Sequence, residues 1–270
     1  MAPLISDEEF QHGRGREIAA EYFPLVSEGV EPLIDRLQTF KVQPRSSLAG
    51  DDRASTTDAV SHQARGLLSV GADHIKAVSD LLMKADTMPA FAGFTLTRSA
   101  LECAGVALWL IGPPDRDTRV LRAIQLSRES LNDSRRLAAT AAGAKHRGLE
   151  PDDPYLKQFE EMRDARPNNA GVTLSAPSIT DRLDAAEVFV IRHTPEQETL
   201  LMQWQRTSGL AHGRRHSIWQ HSNARLHSAD HIGFQVRVTG DLVALTAHFE
   251  SAVNYLEDGI SLLEQRGAAP

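Results

Sequence analysis

The sequence predicts an all-α fold: a single-domain helical bundle carrying one irregular, proline-rich insert. Three observations predict it. Apolar residues recur at intervals of three and four along most of the chain, the period that gathers them on one face of an α-helix. Helix starters and breakers punctuate those runs. Strand-like alternation is confined to one short run, Phe234 to Val238.

Taken in order, Asp7 to Phe40 reads as a helical pair, with Pro24 and Pro32 marking breaks or starts. Lys41 to Thr56 reads as loop, its Asp51-Asp52 pair as a solvated turn, and Thr57 as the N-cap of the next helix. Residues 1–56 are therefore expected to form N-terminal helices and a linker packed on a bundle that spans 57–266. Val60, Ala64, Leu67, Gly71, Val78 and Leu82 then follow helical spacing. Ala90 to Ile111 is apolar around its whole circumference, the pattern of a helix covered on most sides, and Gly112-Pro113-Pro114 stops it. Asp115 to Arg147 carries a long stripe that includes Val120, Ile124 and Leu131. The insert, 148–178, is interrupted by Pro151, Pro154, Pro167 and Pro177 and leaves room for one short helix around Tyr155 to Arg163. Ser178 to Ile191 reads as a short amphipathic helix. Thr194-Pro195-Glu196-Gln197 has the form of a capping box opening another helix, whose Leu201, Trp204, Ser208 and Ala211 share a face and whose end is weakened by Gly209 and Gly213. A last helix, starting after Thr239 or Asp241, keeps an apolar seam from Leu242 to Leu263.

Length and charge narrow the function classes. A chain of 270 residues can bury a substantial core. A net charge of −7 argues against a protein that coats nucleic acid by bulk charge, while leaving a local basic site open. One cysteine, Cys103, excludes an intramolecular disulfide and a cysteine-based zinc site. The first residues lack a basic stretch followed by an apolar one, so no signal peptide is expected. Arg98 and Glu102 interrupt the most apolar segment and leave about nine apolar residues beyond them, too few to cross a bilayer. A cytoplasmic protein without membrane contact is expected.

The local basic site is easy to find. From Thr199 to Ala229 there is no Asp or Glu, while Arg206, Arg214, Arg215, Arg225, His212, His216, His221 and His227 all fall within it, with Trp204 and Trp219 among them. Arg206 and His212 pair a permanent cation with an imidazole that exchanges protons near neutrality. Together they suit metal-independent phosphodiester cleavage, or else an ordinary polar helix end. Six residues apart, they converge only if the chain leaves helical geometry near Gly209 or Gly213. Arg98 and Glu102 stand at i and i+4 in an apolar helix, as a buried ion pair or as the wall of a polar pocket. Ser208, Arg214, Arg215, His216 and Trp204 complete the candidate binding set. The histidine spacing, His212 with His216 and His227 with His231, is compatible with metal chelation, but neighbouring arginines and missing carboxylates oppose a dication, so no metal and no cofactor is expected.

Arg206 followed by His212 resembles the Arg–His signature of the HEPN superfamily. The stretches Arg98-Ser99-Ala100-Leu101-Glu102 and Ser208-Gly209-Leu210-Ala211-His212-Gly213 resemble helical HEPN-like proteins related to abortive-infection proteins. The similarity covers about Thr57 to Arg266, and Thr207 stands where that superfamily usually carries Asn, Asp or His. The resemblance implies an all-α bundle that often forms a homodimer with the Arg/His motifs facing across the interface, and a metal-independent endoribonuclease of a defence or toxin system with Arg206 and His212 as catalytic residues. Two alternatives stay open: a non-catalytic binding or assembly protein holding a nucleotide or other anionic ligand, and an enzyme acting on a small anionic substrate in a helical-bundle pocket. RNA or a nucleotide is the expected partner.

Overall fold

The computed structural model describes residues 7–145, 148–150, 152–191, 198–229 and 234–269. Their helices run in the order α1 (Asp7–Glu28), α2 (Val30–Thr39), α3 (Ser47–Ala54), α4 (Val60–Met83), α5 (Ala92–Ile111), α6 (Arg116–Ala141), α7 (Pro154–Asp164), α8 (Ile179–Ala186), α9 (Leu200–Ala211), α10 (Arg215–His221) and α11 (Leu242–Gly267). Among the described residues the bundle is all-α apart from one antiparallel strand pair, β1 (Asn223–Ala229) and β2 (Phe234–Thr239), between α10 and α11.

The central element is α5. Thirteen of its residues are buried, on every side of the axis, as its continuous hydrophobicity requires. It packs against α4, α11, α9 and α8. By length and composition it could cross a membrane, yet 67% of its most apolar window is buried inside the fold. Phe23, Val30, Leu33 and Leu37 from α1 and α2 join the same core as Leu68, Leu101, Phe249 and Leu256. Phe23 and Phe249 meet ring to ring at 4.7 Å. A smaller cluster of Val120, Ile124, Phe159 and Leu174 seats α7 of the insert on α6. Asp153 caps α7, and its carboxylate meets Arg135 at 3.3 Å.

The segment expected to be loop, Lys41 to Thr56, contains α3, capped by Ser46, whose Oγ accepts from the Ala49 N–H at 3.0 Å. The expected solvated pair splits. Asp51 is fully buried, while Asp52 accepts from the Ser61 N–H and hydroxyl at 2.9 and 2.7 Å. Asp52 thereby helps to start α4, whose N-cap position is Ala59 and not Thr57. Both carboxylate oxygens of Asp51 are engaged by arginines of α6. Arg119 donates to its two oxygens at 2.6 and 2.9 Å, and Arg116 Nε donates at 3.1 Å. Arg119 also donates to the carbonyls of Pro113 and Pro114, and Arg266 of α11 to those of Gly112 and Pro113. Guanidinium groups thus cap the C-terminal end of α5, where unpaired carbonyls and the helix dipole favour cations. Burial, and then the charge of Arg119, lower the pKa of Arg266. Pro113 and Pro114 of this stop bring carbonyls but no amide N–H, and the arginines take the carbonyls.

Around α9 the boundaries also move. Residues 194–197, the expected capping box, lie outside the described residues. Thr199 is the N-cap, its Oγ1 accepting from the Met202 N–H at 3.3 Å, so the helix begins at Leu200. Gly209 sits inside α9 and Gly213 adopts φ +62° just beyond it, a backbone conformation that glycine takes at no steric cost. The chain then enters α10. The strand expected at Phe234 to Val238 is found as β2, and its partner is β1, in a register that sets Asn223 opposite Thr239 and Arg225 opposite Arg237.

Candidate functional site

Close packing of α5 on α8 and α9 builds the polar cluster. A Cβ at Gly105 would fall 2.3 Å from Leu183 and 2.7 Å from Leu200, so only glycine permits this approach. One turn along α5, the Arg98–Glu102 face meets Trp204 of α9. Arg98 Nη2 reaches Glu102 Oε2 at 3.0 Å, and the Trp204 Nε1–H donates to the same oxygen at 2.9 Å. The Arg98 guanidinium lies 5.0 Å from the Trp204 ring centroid, in cation–π range. The side chains of Arg98 and Glu102 are 22% and 35% exposed. Three predicted residues therefore form one half-buried unit. A hydrogen bond to a charged acceptor contributes about 1.5–3 kcal/mol and fixes the indole that closes the unit.

The inner face of α9 is taken up by the core. Thr207 is fully buried, and its hydroxyl donates to the carbonyls of Gln203 and Trp204 at 2.8 and 3.1 Å. Its β-branched side chain suits that packed position. Gln203 is hydrogen-bonded to His248 of α11, a buried imidazole set edge-on to Phe94. Neither Gln203 nor His248 stood out in the sequence. An isolated polar residue at a helical core position has no signature apart from its neighbours.

The predicted catalytic pair is not assembled within the chain. Arg206 forms an ion pair with Glu198, one residue before the carboxylate-free stretch begins. His212 is exposed at the C-cap of α9, and its backbone N–H donates to the Ser208 carbonyl at 3.0 Å. Regular helix through Ala211 leaves the two side chains about 120° apart around the axis and about 9 Å apart along it. Helical geometry ends at Ala211, with His212 as the C-cap at φ −92° and ψ 7°, too late to bring the two side chains together.

A sharp corner follows. A Cβ at Gly209 would lie 2.0 Å from Ser217 Oγ, so α10 folds back directly onto α9. The Arg214 N–H donates to the Gly209 carbonyl at 2.9 Å. This turn presents His212, Arg214, Arg215 and His216 to solvent on consecutive positions around Gly213. Among the described residues none of the four forms an ion pair. Trp219, 46% exposed, lies one turn further along α10. His212 and His216 fall on opposite sides of the turn, so their spacing is not a chelating spacing along one helix. Among the described residues no three of His, Cys, Asp and Glu gather as a metal site. The side chains of Arg225 and His227 and the position of His231 lie outside what the structure describes.

Chemically, the corner can attract an anion, and the Arg98–Glu102–Trp204 unit can hold the adjacent helix pair in place. Comparison with protein-family models, curated proteins and solved structures returns no match for this chain.

Proposed function

We propose that the chain is a non-catalytic binding protein whose α9–α10 corner holds the phosphates of a nucleotide or RNA. The observation that carries this is the corner itself: four exposed basic residues in five positions, none ion-paired among the described residues. Exposed guanidinium groups on a rigid turn suit phosphate oxygens, which accept several N–H donors in fixed geometry. Net negative charge elsewhere confines binding to this corner and keeps it sensitive to salt. Such a protein would work in the cytoplasm, where nucleotides and RNA are found. The experiment is equilibrium binding of adenosine nucleotides and of a short single-stranded RNA across a salt series. Binding that weakens with salt, and weakens further in Arg214→Ala/Arg215→Ala, is the expected result. No binding by the wild-type chain, or binding indifferent to that double substitution, sinks the idea.

One observation favours a second role, that of a HEPN-like metal-independent ribonuclease. His212 is solvent-exposed at the C-cap of α9, where a bound substrate could reach its imidazole, as acid–base chemistry needs. With Arg206 bound to Glu198 and turned away, a catalytic pair would have to be completed by His212 or Arg206 of a second copy. RNA incubated with the protein in EDTA tests this. Cleavage lost in His212→Ala supports it, and cleavage unchanged in that variant removes it.

A further inference from the structure

Glu102 stands between two environments. On one side its Oε2 is engaged by Arg98 and Trp204. On the other it lines a cleft of ≈ 540 Å³ formed by α4, α5, α6 and the chain entering α8. Small-molecule sites occupy about 300–1,000 Å³, so the size fits. Leu67, Val106, Leu126 and Ile179 supply apolar walls. Cys103 adds to them: burial pushes its thiol up to about 11, so it stays protonated at neutral pH and acts as a small apolar group.

The cleft is held open by structure. Arg182 is buried, donates through Nε to the Pro177 carbonyl at 2.7 Å and through Nη2 to Glu129 Oε1 at 2.7 Å. Its guanidinium also lies 5.6 Å from the Trp109 ring. These bonds pin the Pro177 segment to α6, so the walls exist before any ligand arrives. They also engage the positive charge of Arg182. The unmatched groups are acceptors. Glu102 is hydrogen-bonded through Oε2 and Glu129 through Oε1, which leaves one oxygen of each carboxylate without a hydrogen bond among the described residues. An ionised carboxylate offers about four lone-pair sites. Both side chains are part-exposed, 35% and 45%, so a ligand can reach their open oxygens, and such acceptors beside apolar walls gain from a charged donor.

We infer that this cleft binds a small organic amine, its ammonium donating to the open oxygen of Glu102 near Glu129 and its ring-sized apolar body filling the space beside Val106 and Leu126. An anionic ligand would meet the open oxygens of two carboxylates there, because Arg98 and Arg182 are each engaged by the other oxygen of Glu102 and Glu129. The preferred ligand is thus opposite in sign to that of the α9–α10 corner, and the site stands or falls independently of it.

Cys103, the single cysteine of the chain, lines the cleft and reports occupancy. The test follows modification of the full chain by methyl methanethiosulfonate, with phenethylamine, phenethyl alcohol or 3-phenylpropionate present. Phenethylamine at ten times its Kd is expected to slow modification about tenfold, as the unliganded fraction falls. The alcohol and the carboxylate should protect far less, and Glu102→Gln should abolish protection by the amine. No protection by the amine, equal protection by the alcohol or carboxylate, or undiminished protection in Glu102→Gln overturns the assignment. If circular dichroism shows Glu102→Gln unfolded, Glu129→Gln takes its place: diminished protection supports the site and undiminished protection overturns it.

Discussion

Two arginine-rich regions of this bundle have similar composition and opposite fates. Around Asp51, the guanidinium groups of Arg119 and Arg266 are directed at backbone carbonyls that end α5, and Arg119 and Arg116 share one buried carboxylate. At the α9–α10 corner, Arg214 and Arg215 are exposed and have no carboxylate partner among the described residues. The first set is engaged by the fold, and the second is open to solvent. A basic residue signals binding only when its partners have been accounted for. Arg206 makes the point within the carboxylate-free stretch itself, because Glu198 lies just outside it and neutralises it.

The largest expected effect breaks the comparison at its buried end. Asp51→Asn leaves Arg119, 2% exposed, without a countercharge and should cost about 3–5 kcal/mol in urea unfolding. Asp52→Ala, next to it, removes hydrogen bonds to Ser61 at a helix start and should cost only about 1 kcal/mol. Equal costs would mean that the Asp51 network is not the anchor described above. The next effect separates corner from core. Gly209→Ala places a methyl on Ser217 and must displace α10, an overpacking cost of about 1–3 kcal/mol, with loss of phosphate binding even where the protein stays folded.

A smaller effect tests the exposed end. Arg214→Ala/Arg215→Ala should change stability by no more than about 0.5 kcal/mol. For single-stranded RNA it should lower the slope of log K against log salt by about 1.4, two contacts at about 0.7 each. The shallowest effect lies in pH. Burial raises the Cys103 pKa from 9.0 to about 11, so the unfolded chain releases this proton first and stability should fall as pH rises from 9 toward 11. Cys103→Ala should flatten that part of the stability profile, and an unchanged profile would mean the thiol is solvated.

Much of the fold was readable from periodicity. Burial of α5 on all sides, the apolar seam of α11 and its Asp241 cap, and the helix inside the insert each have a local cause. Helix α3 escaped because its eight residues, SLAGDDRA, lack a continuous apolar stripe and are stabilised by a Ser46 cap and by Asp51 reaching α6. Strand β1 escaped because NARLHSA carries no clear alternation and is paired through the backbone to β2. At the site, the i,i+4 spacing announced the Arg98–Glu102 pair, and Trp204 could be named from its place in the basic stretch. The bond between Glu102 and Trp204, the capture of Arg206 by Glu198 and the carboxylate-lined cleft could not be named, since each joins residues from different elements or across a helix start.

By itself the sequence determined the helical class, the central place of α5 and the location of a carboxylate-free basic segment, because these follow from local period, capping chemistry and charge counts. Tertiary structure alone decided which charges are available. Asp51 and Arg119 became scaffold, Arg206 was neutralised, and the α9–α10 corner and the Glu102 cleft were left open. The physical reason is that a charge has meaning only through the partners within a few ångströms of it, and packing, rather than sequence distance, brings those partners together.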